Sequence, residues 1–344
     1  MDEILDEYFG DIGKVLFNNL ITTLKGALLS GSSSVWSISR KISEFSNRTF
    51  KASEKLVNRL LQDKDFQIND SLWRKYINLV FSALTERNLL KIGDNILLRL
   101  DYTTDTDDFL ILMATVDFCG KSVPLYFSMR KYPKKKDQMN QKKLEASFIR
   151  ELRHLLSKKY NYTIVADRGF GNDRIAQLCV ENNFDYVLRI SDNLNIKKDD
   201  KDLKLQNLNG GDHSFKAFAT CWKKDVYFEV KTQYKSTWFL MKSKEQMKGA
   251  EIYEKRFGIE KCFQDMKSSG FNIEKSKIRK YDRFKRLCFV VCLAQLFAVI
   301  VGEYIQNQKH PLKKRFPILV TAILAFSKLD GSYLKISSEE QLLL

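Results

Sequence analysis

The order of periodicities along this chain predicts an α/β fold, and three observations carry that prediction. Apolar residues recur at helical spacing from about residue 11 to residue 90. From about residue 94 the pattern changes to β-rich runs joined by short turns. After residue 137 helical and strand-like segments alternate, with a second β-rich stretch between Ser191 and Met247.

Taken in order, Asp11–Leu29 places Ile12, Val15, Leu16, Leu20, Ile21 and Leu24 on one helical face. Gly31-Ser32-Ser33-Ser34 breaks that helix and can cap the next, Val35–Phe45. A third helix starts at Asn47 or Thr49 and runs to Leu61, and Asp70-Ser71 caps a fourth through Leu84. The short second helix, rich in Ser and Arg after a Gly-Ser turn, is compatible with a helix-turn-helix reader or with a plain bundle.

Strands follow at Asn95–Thr103, Phe109–Phe118 and Ser122–Arg130. The second has the apolar middle Leu110-Ile111-Leu112-Met113-Ala114, as expected of a strand covered on both faces. Next come a helix over Asp137–Lys158, a strand at Tyr162–Ala166, a helix at Asn172–Asn183 and a strand at Asp185–Ile190. Three antiparallel strands, then alternating helix and strand, is the order of a ribonuclease-H-like catalytic core.

In the β-rich insertion, Phe215–Ala219, Val226–Thr232 and Ser236–Met241 read as strands, while Lys197–Asp202 and Asn209–Asp212 read as turns or loops. The predicted organisation is a helical region at 1–93, a core at 94–190, the insertion at 191–247, completion of the core at 248–306 and a C-terminal helical tail at 307–344.

The 344 residues are 44% hydrophobic, as in a globular protein with a sizeable core. A formal charge of +16 implies a polyanionic partner. Six scattered cysteines without a CxxC pair, and only three histidines, exclude a zinc site by spacing and suit reduced thiols in a cytoplasmic protein. The acidic start, Met1 to Glu7, lacks a signal-peptide pattern. The apolar run Leu287–Gly302 is short of the roughly 20 residues of a membrane span and contains Gln295, so a buried core helix is expected.

Chemistry concentrates in Ala250–Lys267. At roughly 100° per residue, Tyr253, Arg256, Glu260 and Lys267 of one continuous helix would project within about 60° of one another. Ile252, Ile259, Phe263 and Met266 would form the stripe that packs inward. A carboxylate among cations suggests a metal site beside phosphate groups, and it also fits an amphipathic helix with solvated charges.

The spacing Tyr253, Arg256, Glu260, Lys267 resembles the signature of the insertion-sequence-four family of bacterial DDE transposases. Leu98–Thr104, containing Asp101-Tyr102-Thr103, is similar to the family's first aspartate strand, and Val165–Phe170, containing Asp167, is similar to the second. The resemblance covers about residues 95 to 305 and includes a β insertion at the same place. It implies a ribonuclease-H-like enzyme with catalytic and metal-ligating Asp101, Asp167 and Glu260, using Mg²⁺ or Mn²⁺ as two ions. It prefers Asp101 over Asp105, Asp107, Asp108 and Asp117, of which Asp117 near a strand end is the serious rival.

The resemblance also implies DNA-backbone contacts from Tyr253, Arg256 and Lys267, and an aromatic from the insertion holding a flipped base. Trp238 and Trp222 are candidates for that aromatic, or else insertion core. Gly169-Phe170-Gly171 lacks the third glycine of a dinucleotide fingerprint. The basic stretches Arg130–Lys136 and Lys275–Arg286 would add salt-dependent affinity for DNA.

The expectation is a cytoplasmic, nucleoid-associated cut-and-paste transposase. It would cut double-stranded DNA at terminal inverted repeats and join the ends to a target, as a homodimer on paired ends with no membrane. The rival functions are a metal-dependent nuclease of the same fold and a non-catalytic DNA-binding relic.

Overall fold

A computed structural model describes residues 1–105, 108–132, 138–208, 211–233, 236–267 and 270–307. Five helices come first: α1 (Asp2–Phe9), α2 (Lys14–Ser30), α3 (Val35–Phe45), α4 (Phe50–Gln62) and α5 (Asp70–Thr85). Gly31 ends α2 in the left-handed region at φ 53°, a conformation glycine adopts without a Cβ penalty. Thr49 caps α4 by accepting from the Ala52 N–H, and the cap of α5 is Asn69, one residue before the expected pair. Helix α1 is an addition to the sequence reading. Its acidic face is tied down by Asp2 to Lys25 at 2.6 Å, and Leu5 and Phe9 are fully buried.

The sheet begins with β1 (Asn95–Asp105), β2 (Phe109–Phe118) and β3 (Lys121–Lys131), an antiparallel meander. Helix α6 (Gln138–Leu155) leads to β4 (Asn161–Ala166), which lies parallel to β1 on its free side. Helix α7 (Asp173–Glu181) leads to β5 (Asp185–Arg189), parallel to β4. This is the ribonuclease-H-like arrangement, and it puts the end of β4 beside the middle of β1.

The insertion supplies β6 (Asn195–Lys198), β7 (Lys201–Lys204), β8 (His213–Ala219), β9 (Lys224–Gln233) and β10 (Ser236–Lys242). Strand β10 pairs antiparallel with β5, so the insertion continues the core sheet instead of standing beside it. One ten-stranded sheet results, in the order β3-β2-β1-β4-β5-β10-β9-β8-β6-β7. The expected loop at Lys197–Asp202 is a β-hairpin. Asp199 and Asp200 make its turn at φ 51° and 61°, the double positive φ of a tight two-residue connection.

Helices α8 (Gly249–Glu254), α9 (Gly258–Met266) and α10 (Tyr281–Asn307) complete the described fold. Helix α10 carries the long apolar run, and 78% of its most apolar window is buried inside the protein. Its Phe289 touches Phe9, Phe66, Trp73 and Tyr76 edge-on at ring distances of 5.3–6.3 Å. The buried Tyr76 hydroxyl donates to the Pro124 carbonyl of β3 at 2.7 Å. The N-terminal helices and the sheet therefore share one continuous core around α10. The predicted tail beyond Asn307 lies outside the described residues.

The same packing corrects the reading of the basic stretch before α10. Arg286 donates to the carbonyls of Phe66 (2.7 Å) and Leu61 (3.1 Å), Lys285 to that of Ile68 (3.0 Å), and Arg283 to Asn58 (2.7 Å). These cations hold the α4–α5 connection, whereas Lys277, Arg279 and Lys280 remain exposed. Arg286→Ala is expected to lower stability by about 1.5–3 kcal/mol, the worth of charge-assisted hydrogen bonds. A urea melt measures this. Unchanged stability with weakened, less salt-dependent DNA binding would instead make Arg286 a DNA contact.

Candidate active site

The two aspartates are brought together by strand register. Leu100 of β1 pairs with Ala166 of β4, and Asp101 and Asp167 are the next residue on each strand. Neighbouring strands lie about 4.8 Å apart, so both carboxylates arise at one edge of the same surface. Asp167 then opens a tight turn, in which the Phe170 N–H returns to its carbonyl at 2.8 Å. Gly171 must be a glycine for that turn to close against β5, because a Cβ there would lie 1.9 Å from the Arg189 carbonyl oxygen. The approach also sets the Arg189 guanidinium 3.8 Å from Asp167.

The third carboxylate arrives on a bent segment, not on the single helix expected. Helix α8 ends at Glu254, a 3₁₀ turn spans Lys255–Phe257, and α9 starts at Gly258. Two distant groups hold this segment, one at the start of α8 and one at the 3₁₀ turn. Glu229 of β9 accepts from the N–H groups of Gly249 (2.7 Å) and Ala250 (2.8 Å), with the buried Lys242 ammonium at 3.2 Å from it. Arg99 of β1 is buried and donates to the Lys255 carbonyl at 2.5 Å.

The bend sorts the four signature residues by depth. Tyr253 is fully buried, Arg256 is 4% exposed, the Glu260 side chain is half exposed, and Lys267 sits just past the end of α9. The Tyr253 hydroxyl donates to Asp167 Oδ1 at 3.1 Å, so in this structure it orients a carboxylate instead of facing outward toward DNA. Arg256 donates from Nη1 to Asp101 Oδ2 (3.2 Å) and from Nη2 to Glu260 Oε1 (2.5 Å). Asp101 and Glu260 thus share one guanidinium. Lys267 is turned to Glu274 at 3.4 Å.

Trp238 of β10 is 5% exposed, with its ring 5.0 Å from Tyr253 and 6.1 Å from Phe257. It belongs to a buried cluster with Val165, Val187, Leu240 and Tyr253, which is a core position and not an open base-holding one. Trp222 is partly buried against the main core. The rival carboxylate Asp117 pairs with Arg99 at 3.1 Å and accepts from the Gly120 N–H of its hairpin turn at 2.9 Å. Asp108 stands 3.6 Å from Arg279. The side chains of Asp105 and Asp107 lie outside the described residues.

Electrostatics distinguish the two aspartates. Burial pushes the Asp101 carboxyl above the ordinary aspartate range; the Tyr102 N–H and Arg256 oppose this, and the charges of Asp167 and Glu260 add to it. Burial also works to raise Asp167, but the Arg168 N–H, Arg256, the Tyr253 hydroxyl and Arg189 outweigh it and lower the group. Arg256 acts on both aspartates in the same sense, by direct contact with Asp101 and at longer range on Asp167.

Among the described residues no group of three or more His, Cys, Asp or Glu stands at metal-ligand spacing. The donor chemistry suits a hard divalent ion, since Asp101 and Glu260 meet at one positive centre and Asp167 follows the adjacent strand. In this arrangement that centre is the guanidinium of Arg256.

The sequence between these landmarks decides what kind of domain holds the site. Residues 134–297 match the family described as Transposase DDE domain. A transposase DDE domain is present over this part of the chain. The match covers just under half of the residues, includes Asp167 and Glu260, and begins after the strand that bears Asp101. No curated protein matches the sequence significantly. The transposase domain supports activity of the transposase or nuclease type on DNA.

Three residues of the site escaped the sequence reading: Arg99, Arg189 and Glu229. Arg99 left a signal. It interrupts the apolar run Leu97-Leu98-Arg99-Leu100 two residues before Asp101, so the period-two rule puts both on one face. Arg189 meets Asp167 through β4–β5 pairing, and Glu229 reaches α8 through β10–β9 pairing, which no local pattern announces.

Proposed function

We propose that the chain is a cut-and-paste DNA transposase of the insertion-sequence-four family. It cleaves at the terminal inverted repeats of an element and transfers the freed 3′ ends to a target. The observation that carries this reading is the gathering of Asp101 and Glu260 on one guanidinium, with Asp167 at the end of the adjacent strand. A phosphodiester attacked by water or a 3′ hydroxyl needs anionic oxygens that organise positive charge, and little else from the protein.

Asp101, Asp167 and Glu260 would hold Mg²⁺ or Mn²⁺, and such an ion would supply positive charge for the attacking and departing oxygens. The Tyr253 hydroxyl keeps Asp167 turned into the site. Arg256, whose planar fork matches a phosphate, contributes charge at the reacting end. Lys267 is a secondary phosphate contact that must leave Glu274 to act. The N-terminal helices would take the DNA end, and α3 offers Arg40 beside the exposed ring of Trp36, 5.1 Å away.

Joining two ends requires two sets of carboxylates, and one chain has one set. A homodimer on paired ends is therefore part of the proposal, with the net positive charge disfavouring association of free chains. The test uses the DNA that flanks the gene as substrate, with Mg²⁺ or Mn²⁺. Joining of pre-cut ends to a plasmid is expected. Cleavage without joining would make the chain a nuclease, and binding without either would make it a relic. A mass measurement giving one protein per pair of joined ends would remove the dimer.

A further inference from the structure

The carboxylate cluster is already partly neutralised by a cation that the protein supplies itself. Arg256 is almost wholly buried, and its two terminal nitrogens are divided between Asp101 and Glu260. Its guanidinium carbon lies 5.0 Å from the Phe257 ring and 5.6 Å from the Tyr253 ring, so it is held from the sides as well. The third nitrogen, Nε, is buried without a hydrogen-bond partner. A buried donor left unsatisfied is costly, so this placement is not the side chain's fully satisfied state.

We propose that Arg256 is a resident counter-cation whose guanidinium and a divalent metal ion exclude each other from the carboxylate cluster. The inference rests on the reading of Asp101, Asp167 and Glu260 as metal ligands. Its physical content is simple. Asp101 Oδ2 and Glu260 Oε1, the oxygens a metal would bind, are the oxygens that accept from Arg256. Two cations brought to the same few oxygens repel, and carboxylates released from one are free for the other.

Two of the residues that touch the guanidinium reach the surface. Glu260 is half exposed and Phe257 is 44% exposed, so the guanidinium can swing toward the surface past them. There an acceptor from outside can meet the orphaned Nε–H. A phosphate oxygen has the right charge and geometry for that. Metal entry is thereby favoured where a phosphate is present to receive the arginine, and the empty site stays folded without metal.

Mn²⁺ binding to the full chain, followed by the loss of free-ion electron paramagnetic resonance signal, tests this without any DNA or activity. Arg256→Gln is expected to bind Mn²⁺ more tightly than the unaltered chain, by about tenfold or more. Arg256→Lys, which keeps one charge but cannot bridge two carboxylates, is expected to fall between them. It also gives a usable readout if the glutamine variant folds poorly. Without metal, Arg256→Gln should melt lower than the unaltered chain, and saturating Mn²⁺ should close most of that gap. Equal or weaker Mn²⁺ binding by both variants would overturn the inference alone. Absence of binding by all three chains would overturn it together with the assignment of the carboxylates as ligands.

Discussion

Replacing Glu260 by alanine is expected to abolish DNA cleavage while leaving the fold intact. Glu260 lies on α9 with its side chain half exposed, and its hydrogen bond is to Arg256. Glu260 is itself half solvated, but its loss leaves a nitrogen of the buried Arg256 without its acceptor, so a cost of about 1–3 kcal/mol is expected. The chemistry has far more to lose, since enzymes commonly contribute about 10⁶-fold or more to rate. Nicking of a plasmid that carries the flanking DNA, in Mg²⁺ or Mn²⁺, measures the first effect, and a urea melt the second. Asp101→Ala and Asp167→Ala should behave in the same way on cleavage.

Asp117→Ala is the informative contrast. Asp117 anchors the hairpin turn and the buried Arg99, whose other bond holds the bend at Lys255. Its loss should lower stability and retain cleavage. Cleavage that survived Glu260→Ala but not Asp117→Ala would move the active site to the other end of Arg99.

The comparison of sequence with structure has a physical pattern. Strands β1 to β5 were legible because their apolar runs are bounded by turns and their order alone limits the topology. Asp101 within its strand and Asp167 after its strand were legible from the motifs around them, and register does the rest. The bend between α8 and α9 was not. No proline marks it, and helical periodicity runs straight through Glu254–Phe257; Arg99 reaches it from β1 at the Lys255 carbonyl, while Glu229 fixes the start of α8 from β9. A signature that looked like one exposed helical edge thus became a buried tyrosine, a buried arginine and a half-exposed glutamate. The β6–β7 hairpin was hidden for a different reason: its alternating Lys and Asp residues have the composition of a solvated loop.

Trp238→Ala is expected to have the largest effect on stability, about 3–5 kcal/mol, because it deletes a buried aromatic from a packed cluster. The ring fills the space between Val165 of β4, Val187 of β5, Leu240 of its own strand and Tyr253 of α8. That position joins the insertion to the catalytic side of the sheet. Tyr253 leans on Trp238 edge-on at 5.0 Å, and the Tyr253 hydroxyl orients Asp167. A cavity there should loosen Tyr253 and disturb the site, so activity should fall along with stability. Trp238→Phe keeps an aromatic face for Tyr253 and should recover most of both. The alternative role, an aromatic that holds a displaced base, makes the opposite forecast. Base stacking is worth about 1–3 kcal/mol of DNA affinity, and a ring reserved for it would be removed with the urea midpoint unchanged. With Trp238 only 5% exposed in the free protein, a base could reach it only after Phe257 and Tyr253 moved apart. Urea melts of the alanine variant, read beside its DNA affinity, therefore decide between a ring that builds the site and one that waits for a base.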